Sequence, residues 1–281
     1  MTDTLFVSFS GGRTSAFMCR WLLDNKPDTK LIFTFANTGL EHEKTLDFVD
    51  RCDREWGLNV VWLEAVVNPE KGKGIRHKVV NFETAARNGE PFEAVIAKYG
   101  ITNPDYPHCT RDLKLLPMRG YRKSLELEHA PFCIGIRCDE IDRMSPTASE
   151  NGLVYPLVEV PHATKEYMRH WWAKQPFDLD LPEHLGNCVT CWKKSDRKLL
   201  TIAKSEPERF AFFDRMEKTH GDTGAGDQTR VFFRKHKTAR WYLERAAQPF
   251  KEFTDHMPEL QLGMFDPMDV EADCGAGCEI Q

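Results

Sequence analysis

Near its N-terminus the chain reads Ser8-Phe9-Ser10-Gly11-Gly12-Arg13-Thr14-Ser15-Ala16, between a short apolar run and a stretch with helical spacing. Glycine lets the backbone approach an anion without a Cβ clash and adopt positive φ at little cost. A helix that begins directly after such a turn offers unpaired N–H groups and the positive end of its dipole. Ser10 and Ser15 add hydroxyl donors, and Arg13 adds a positive charge. The run therefore predicts a phosphate-binding strand–turn–helix unit, with an ordinary serine-capped turn as the alternative.

Strand and helix patterns alternate on both sides of this run, which predicts an α/β fold with a parallel twisted sheet flanked by helices. The predicted strands are residues 5–8, 29–35 and 59–63, and the predicted helices are 15–24 and 43–56. Ligands of such sheets lie beyond the carboxyl ends of the strands. We therefore expect the glycine run and the segment Ala36-Asn37-Thr38-Gly39 to face one crevice.

The remaining three quarters of the chain carry weaker signals. Residues 67–106 are polar and predict a loop-rich region, whereas 130–136 predict a fourth strand and 153–160 an extended segment. Helices are predicted at 165–174, 199–204, 207–218 and 239–247. We divide the chain into a nucleotide-binding α/β domain with the cysteine site, residues 1–204, and a helical extension with a cysteine-containing tail, residues 205–281.

Composition limits the classes of function. The 281 residues are 41% hydrophobic and 29% charged, and no apolar run approaches the roughly 20 residues that span a bilayer. The first residues lack a basic region followed by an apolar core, so we expect a cytoplasmic protein with no membrane contact. The net charge of −5 argues against a wholly basic nucleic-acid binder but leaves basic patches at 71–78 and 230–240.

Nine cysteines in a reducing compartment point to metal binding or redox chemistry rather than structural disulfides. One group is Cys109, a second is Cys188-Val189-Thr190-Cys191, and a third is Cys274-Gly275-Ala276-Gly277-Cys278. A C-x-x-C turn presents two thiolates to one zinc ion or iron–sulfur cluster. By contrast, the patterns around Cys19, Cys52 and Cys133 predict buried, apolar cysteines.

Several segments occur in an order that resembles a known family. The final Gly-Lys-Ser/Thr of a Walker loop is missing, and Ser-Gly-Gly-x-x-Ser is similar to the pyrophosphate loop of the adenine-nucleotide α-hydrolase (PP-loop) superfamily. Over roughly residues 5–200 the chain resembles the phosphoadenylyl-sulfate (PAPS) reductase family. The matching segments are Ser10–Ser15, Asn37-Thr38-Gly39-Leu40-Glu41 with Thr45, Cys109 to Pro117, Gly135-Ile136-Arg137-Cys138-Asp139-Glu140 and Tyr155-Pro156-Leu157.

The resemblance implies a site for an adenine nucleotide, either ATP or a sulfonucleotide (PAPS or APS). Lys114 and Arg137 are expected to contact its anionic groups during catalysis, and Asp139 or Glu140 to hold Mg²⁺ on a triphosphate. Surface ion pairs are the alternative for these charged residues. The expected nucleotide-binding residues are Ser8, Ser10, Gly11, Gly12, Arg13, Thr14, Ser15, Asn37, Thr38, Gly39, Glu41, Arg137, Asp139, Glu140 and Arg143.

The resemblance to cluster-bearing members of the family implies a [4Fe–4S] cluster bound by Cys109, Cys188 and Cys191. The fourth ligand stays open among Cys138, His108, a substrate sulfur and water. His108-Cys109 stands where some of those members carry a pair of cysteines. Zinc, or three unrelated thiols, are the alternatives.

The tail Asp273-Cys274-Gly275 resembles the family's C-terminal Glu-Cys-Gly, whose cysteine attacks the sulfonucleotide. Cys274 is therefore a candidate nucleophile, and Cys278 departs from the family tail as a second thiol that is able to resolve a disulfide. An idle tail is the alternative.

The superfamily offers two chemistries. ATP-cleaving members adenylate an acceptor, release pyrophosphate and then introduce sulfur, whereas reductases reduce a preformed sulfonucleotide. The retained Ser10, Gly11, Gly12 and Ser15 favour ATP, although Thr14 stands where most ATP-cleaving members have aspartate. We expect an ATP-dependent sulfur-transfer enzyme with a nucleic-acid or small-molecule acceptor, a sulfur or electron donor such as thioredoxin, and self-association into a homo-oligomer. A reductase is the second interpretation, and a non-catalytic nucleotide-binding protein is the third.

Overall fold

A computed structural model describes residues 4–70, 72–224 and 229–255 of the chain. The candidate nucleophile Cys274 and its neighbour Cys278 lie outside the described residues, so their roles stay predictions.

The described chain forms a six-stranded, mainly parallel sheet in the order β4-β3-β2-β1-β5-β6, with helices packed on it. Only the pairing of β3 with β4 is antiparallel. The α/β fold expected from the sequence is therefore confirmed. The strands are β1 (Thr4–Ser8), β2 (Lys30–Ala36), β3 (Val61–Val67), β4 (Ile75–Val80), β5 (Phe132–Cys133) and β6 (Leu153–Val154). The helices are α1 (Arg13–Asn25), α2 (Glu43–Trp56), α3 (Glu90–Tyr99), α4 (Leu116–Ser124), α5 (Lys165–Trp172), α6 (Asp196–Ser205), α7 (Ala211–His220) and α8 (Ala239–Ala246).

The strand order places a switch point at the centre of the sheet. The chain runs outward from β1 through β2 and β3, then returns to add β5 and β6 on the other side of β1. At such a point the connections leave β1 and β5 in opposite directions, and a crevice opens at their carboxyl ends. The glycine run follows β1 and Gly135 follows β5, so both border this crevice.

Residues 67–106 differ from the loop-rich region predicted for them, since they contain β4 and α3. Strand β4 is an edge strand without a fully buried side chain, so it carries no apolar alternation to signal it. Helix α3 has Pro91 in its first turn and left-handed Gly89 directly before it. Proline is favoured at helix starts, so Pro91 is a local signal for this helix.

The core spans the whole described chain. One apolar cluster runs from Val7 of β1 to Ala246 of α8. Within it Trp172 packs on Phe48 at a ring separation of 5.1 Å, as expected for a packing residue. Phe92 of α3 contacts Phe212 of α7 at 5.9 Å. The predicted boundary after residue 204 thus falls at the end of α6, and helices on both sides of it share one core; the division into domains stays a prediction.

Among the residues that the structure describes, no helix has the length and apolar character needed to cross a membrane.

Glu217 of α7 makes stability depend on pH. Burial raises the pKa of Glu217 to about 7, although its carboxylate accepts N–H bonds from Phe232 at 3.0 Å and Ala239 at 2.9 Å. Because the folded pKa exceeds the unfolded one, this stabilisation is complete below about pH 4.5 and is lost as the pH rises through about 7.

Relative to Glu217→Gln, the wild type should lose up to about 3 kcal/mol of unfolding free energy between pH 4.5 and 8. Urea titrations across this range measure the difference, and the exposed Glu244→Gln serves as the control. Parallel pH profiles for wild type and Glu217→Gln would contradict the prediction.

Candidate active site

The loop after β1 is shaped by Gly11. Its φ is +81°, and a Cβ there would lie 2.6 Å from Cγ2 of Thr45 in α2. The Ser10 N–H donates to Ser15 Oγ at 3.2 Å, the two serine hydroxyls are 3.0 Å apart, and Ser15 Oγ donates to the Gly12 carbonyl at 3.0 Å. These bonds fold the loop tightly back onto the start of α1.

The start of α1 is open to an anion. Gly12 occupies the N-cap position in an extended conformation, no side chain caps the helix, and its first turn contains no acidic residue. A helix start of this kind leaves backbone donors and the positive dipole end for a ligand. Arg13 was expected to add its charge to this anion site. Its guanidinium instead forms a two-pronged ion pair with Asp178 at 2.7 and 2.9 Å. Ser8 is buried within β1, and Thr14 lies in the first helical turn.

Gly135 brings the segment after β5 against this helix start. A Cβ at Gly135 would lie 3.1 Å from Ser15 Cα, closer than ordinary packing allows. Arg137 follows two residues later, and its Nε donates to Asp139 at 2.8 Å. The structure therefore brings the predicted arginine turn next to the glycine loop, although the arginine is already paired.

The charges of this turn neutralise one another. Glu140 pairs with Arg137 at 3.2 Å and also with Arg143. Desolvation acts to raise the pKa of Asp139, but bonds from the Lys165 N–H and Arg137 prevail and hold that pKa below its usual range. Mg²⁺ or a phosphate would have to exchange for these partners, so the carboxylates are not arranged as ready ligands.

The polar groups of the loop after β2 bond to other groups of the protein. Asn37 donates to Glu64 at 2.7 Å and to the Ala86 carbonyl at 2.9 Å, and its oxygen accepts the Gly39 N–H at 3.2 Å. The backbone and hydroxyl of Thr38 donate to Glu41 at 3.0 and 2.8 Å. These side chains shape the loop that faces the crevice.

Glu64 is a residue of this site that the sequence analysis missed. It is fully buried in β3 and pairs with Lys78 at 2.8 Å. Its signal was present, since it is a lone carboxylate within the apolar run Val61-Trp62-Leu63-Glu64-Ala65-Val66-Val67.

The C-x-x-C turn docks on the same loop. Cys188 forms an isolated antiparallel bridge with Glu41, and the Val189 N–H donates to the Leu40 carbonyl at 3.2 Å. Desolvation raises the pKa of Cys188 well above its ordinary value, Glu41 and Cys109 raise it further, and two lysines, Lys194 and Lys114, act to lower it. The structure thus brings together Cys109, Lys114 and the C-x-x-C turn, which the sequence separates widely.

Lys194 holds the turn in shape. Its buried ammonium donates to the carbonyls of His184 at 2.6 Å, Gly186 at 2.9 Å and Val189 at 2.7 Å. The Cys191 N–H also donates to the Cys188 carbonyl at 3.1 Å. Nothing in the sequence pattern distinguished this lysine from the adjacent Lys193, which is only half-buried.

The predicted metal ligands are not assembled into a site. Within the described ranges, no three His, Cys, Asp or Glu side chains are grouped so as to hold a metal ion. Cys138 contacts another part of the chain, since its thiol donates to the Pro161 carbonyl at 3.5 Å. His108, the other candidate for the fourth position, has its Nδ1 2.9 Å from Asp112 Oδ2. As arranged, these residues do not fit a cluster, and we derive no step through one.

Comparison with known proteins identifies the family. Residues 4–148 match the phosphoadenosine phosphosulfate reductase domain, so the matched region includes the glycine loop, the loop after β2, Cys109 and the Gly135–Arg137 turn. The chain belongs to this family. The C-x-x-C turn that docks on the domain lies beyond the matched residues.

Relatives of this reductase-domain protein occur in a phage and an archaeon. The chain is 37% identical over 206 residues to the nin region protein ORF290 of Escherichia phage lambda, named as uncharacterized, covering 71% of this chain and 69% of that one. It is 32% identical over 117 residues to protein MJ0973 of Methanocaldococcus jannaschii, covering 42% of this chain. The match covers 22% of that longer protein.

We expect Gly135→Ala to weaken nucleotide binding about tenfold or more and to lower stability, since overpacking of this kind costs about 1–3 kcal/mol. The new Cβ would push the Arg137 turn away from the start of α1. Gly74→Ala is the matched control, because a Cβ there meets nothing within 4 Å. Calorimetric binding and thermal melting measure both effects; equal nucleotide affinity in the two variants would contradict the packing role of Gly135.

Lys194→Met is expected to loosen the C-x-x-C turn. Three buried carbonyls would lose their donor, which should cost about 1–3 kcal/mol and expose Cys188 and Cys191 to faster alkylation by iodoacetamide. Lys193→Met is the control, because it removes the adjacent ammonium, which lies 5.6 Å from the ring of Trp192, and leaves the three Lys194 bonds in place. Mass spectrometry of alkylation time courses follows each thiol; unchanged rates in Lys194→Met would show that the turn holds its shape without the lysine.

Proposed function

We propose that the protein binds ATP at the crevice between β1 and β5 and cleaves it between the α and β phosphates to adenylate an acceptor, which then receives sulfur. The observation that carries the proposal is the glycine loop with the uncapped start of α1 behind it. Membership of the reductase-domain family supports an enzyme of the adenine-nucleotide α-hydrolase superfamily.

The reaction balances in two displacements. An oxygen of the acceptor attacks the α-phosphorus and pyrophosphate leaves, which makes an acceptor–AMP ester. A sulfur nucleophile then attacks the acceptor carbon, the carbon–oxygen bond breaks, and AMP leaves with the oxygen. Backbone N–H groups at the start of α1 would stabilise the charge that collects on the departing pyrophosphate.

Arg137 and Arg143 have a role that follows from their present pairing. Both guanidiniums are held by Asp139 and Glu140, and both arginines follow Gly135, whose backbone packs against Ser15 at the end of the glycine loop. A polyphosphate carries more charge than either carboxylate and accepts two parallel N–H bonds from arginine. Exchange of a carboxylate for a phosphate would therefore position ATP without a large movement of the arginines.

In this proposal the cysteine groups take part in the sulfur-transfer step. Cys109 lies close enough to Cys188 to raise the pKa of its thiol, and Lys114 acts to lower that pKa. A cluster or zinc ion on Cys109, Cys188 and Cys191 stays a prediction that requires these side chains to move closer together. Metal analysis of protein purified without oxygen tests it separately from ATP cleavage.

A sulfonucleotide reductase is the second candidate function. The sequence Asp273-Cys274-Gly275 favours it, because a tail thiol is the nucleophile of that reaction in the family it resembles. Under this alternative the glycine loop would hold the phosphates of PAPS or APS, and Cys274 would attack its sulfur.

The decisive experiment is calorimetric titration of Mg·ATP and of phosphoadenylyl sulfate into protein purified without oxygen. Gly12→Asp should bind ATP at least about tenfold more weakly yet fold normally, because aspartate is a favourable N-cap that would occupy the phosphate donors itself. Gly12→Ala is the matched control, since its Cβ would lie 3.8 Å from Ser10 Oγ, an ordinary contact.

Three outcomes are distinct. Tighter binding of ATP, lost only in Gly12→Asp, supports adenylation, and pyrophosphate release then reports the acceptor. Tighter binding of the sulfonucleotide, with sulfite formation lost in Cys274→Ala, replaces it with the reductase. Nucleotide binding without turnover, and unaffected by Cys109→Ala, Cys188→Ala or Cys274→Ala, indicates a non-catalytic protein.

A further inference from the structure

A second pocket lies beside the cysteines. It has a volume of about 520 Å³, within the range of small-molecule sites, and opens at the surface between the end of α3 and the segment before α4. Its walls include Tyr99, Tyr106, His108, Arg111 and Arg230. None of these residues belongs to the nucleotide site described above.

Two walls of the pocket form a flat, charged shelf. The guanidinium carbon of Arg230 lies 3.6 Å from the centre of the Tyr106 ring. Arg230 is held in place by the Tyr99 carbonyl at 3.3 Å and by the Gly224 carbonyl. Tyr106 is 45% exposed despite its size. A stacked arginine and tyrosine with an accessible ring is a surface on which a nucleobase packs.

Cationic groups outnumber anionic ones at the mouth of the pocket. Arg111 has a side chain that is 60% exposed, and Asp105 is the acidic residue of the lining. Arg111 also donates to the buried carboxylate of Asp112 at 2.8 Å, which fixes its guanidinium in direction. A fixed, exposed guanidinium recognises phosphate.

His108 carries the group that points to a ligand. Its Nδ1 lies 2.9 Å from Asp112 Oδ2, which leaves Nε2 as the second polar atom of the ring. That Nε2 is buried and has no hydrogen-bond partner among the described residues. A buried polar nitrogen without a partner is costly, and a polar group of a bound molecule would satisfy it.

We propose that this pocket binds one nucleotide unit, with its base stacked on Tyr106, its phosphate on Arg111 and a polar group on His108 Nε2. The unit belongs either to a free nucleotide or to a single-stranded nucleic acid. His108 adjoins Cys109, which lies close enough to Cys188 to raise the pKa of its thiol. Cys188 in turn forms a backbone bridge with Glu41, in the loop after β2. The pocket is therefore connected through the cysteines to the crevice, where an acceptor belongs; only this role as acceptor site rests on the proposed function.

The test measures binding of a fluorescent single-stranded DNA of about ten nucleotides by anisotropy, in a Gly12→Asp background that blocks the crevice. Loss of one base stack in Tyr106→Leu should weaken binding about tenfold. Trp241→Leu is the matched control, because Trp241 is also exposed and carries the ammonium of Lys237 at 4.3 Å from its ring. Arg111→Gln should reduce the slope of log affinity against log salt by about one.

Competition by a nucleoside monophosphate distinguishes the two sources. Displacement of the oligonucleotide at equal concentration indicates a site for free nucleotides, whereas resistance to displacement indicates a strand; each supports the pocket. Absence of binding by both, or equal affinity in Tyr106→Leu and Trp241→Leu, overturns the proposal. Failure of ATP to bind the wild type would instead refute the proposed function and leave the pocket measurement valid.

Discussion

The parallel pairing of β1 with both β2 and β5 determines where every candidate group lies. It brings three carboxyl ends to one edge, and the loops that follow them meet there because each has only a few residues in which to turn. The close approach of Gly135 to Ser15 depends on this pairing, since β5 must end level with β1 for the two backbones to touch. Without it, the arginine turn and the glycine loop would be separate surface features.

The parts of the fold that were predictable have strong local signals. Helix α2 was predicted with its observed bounds, Glu43–Trp56, because its apolar spacing is regular and a left-handed Gly57 ends it. The glycine loop was equally clear. In contrast, β5 forms a ladder over only Phe132–Cys133, much shorter than the predicted strand at 130–136, because its length is set by the neighbours it pairs with. Edge strand β4 has little apolar pattern, so no local rule identifies it.

The candidate site was predictable in its residue types but less so in its pairings. Arg13 pairs with Asp178, which lies far along the chain, and nothing in either local sequence indicates this contact. Likewise Asn37 and Glu41 carry the polar groups expected of ligand contacts, yet these groups bond to Glu64 and Thr38 of the protein itself. Buried polar groups must be satisfied, and when the chain itself satisfies them they shape a site instead of binding its ligand.

The ammonium of Lys194 gathers three backbone carbonyls around the C-x-x-C turn, whereas in many small cysteine-rich units a metal ion shapes such a turn by binding its thiolates. In metal-dependent units the energy of metal binding is also the energy of folding, so the chain without metal is unfolded. Here a side chain of the polypeptide itself holds the backbone of the turn. Substitution of Cys188 or Cys191 would therefore leave the three bonds that shape the turn in place.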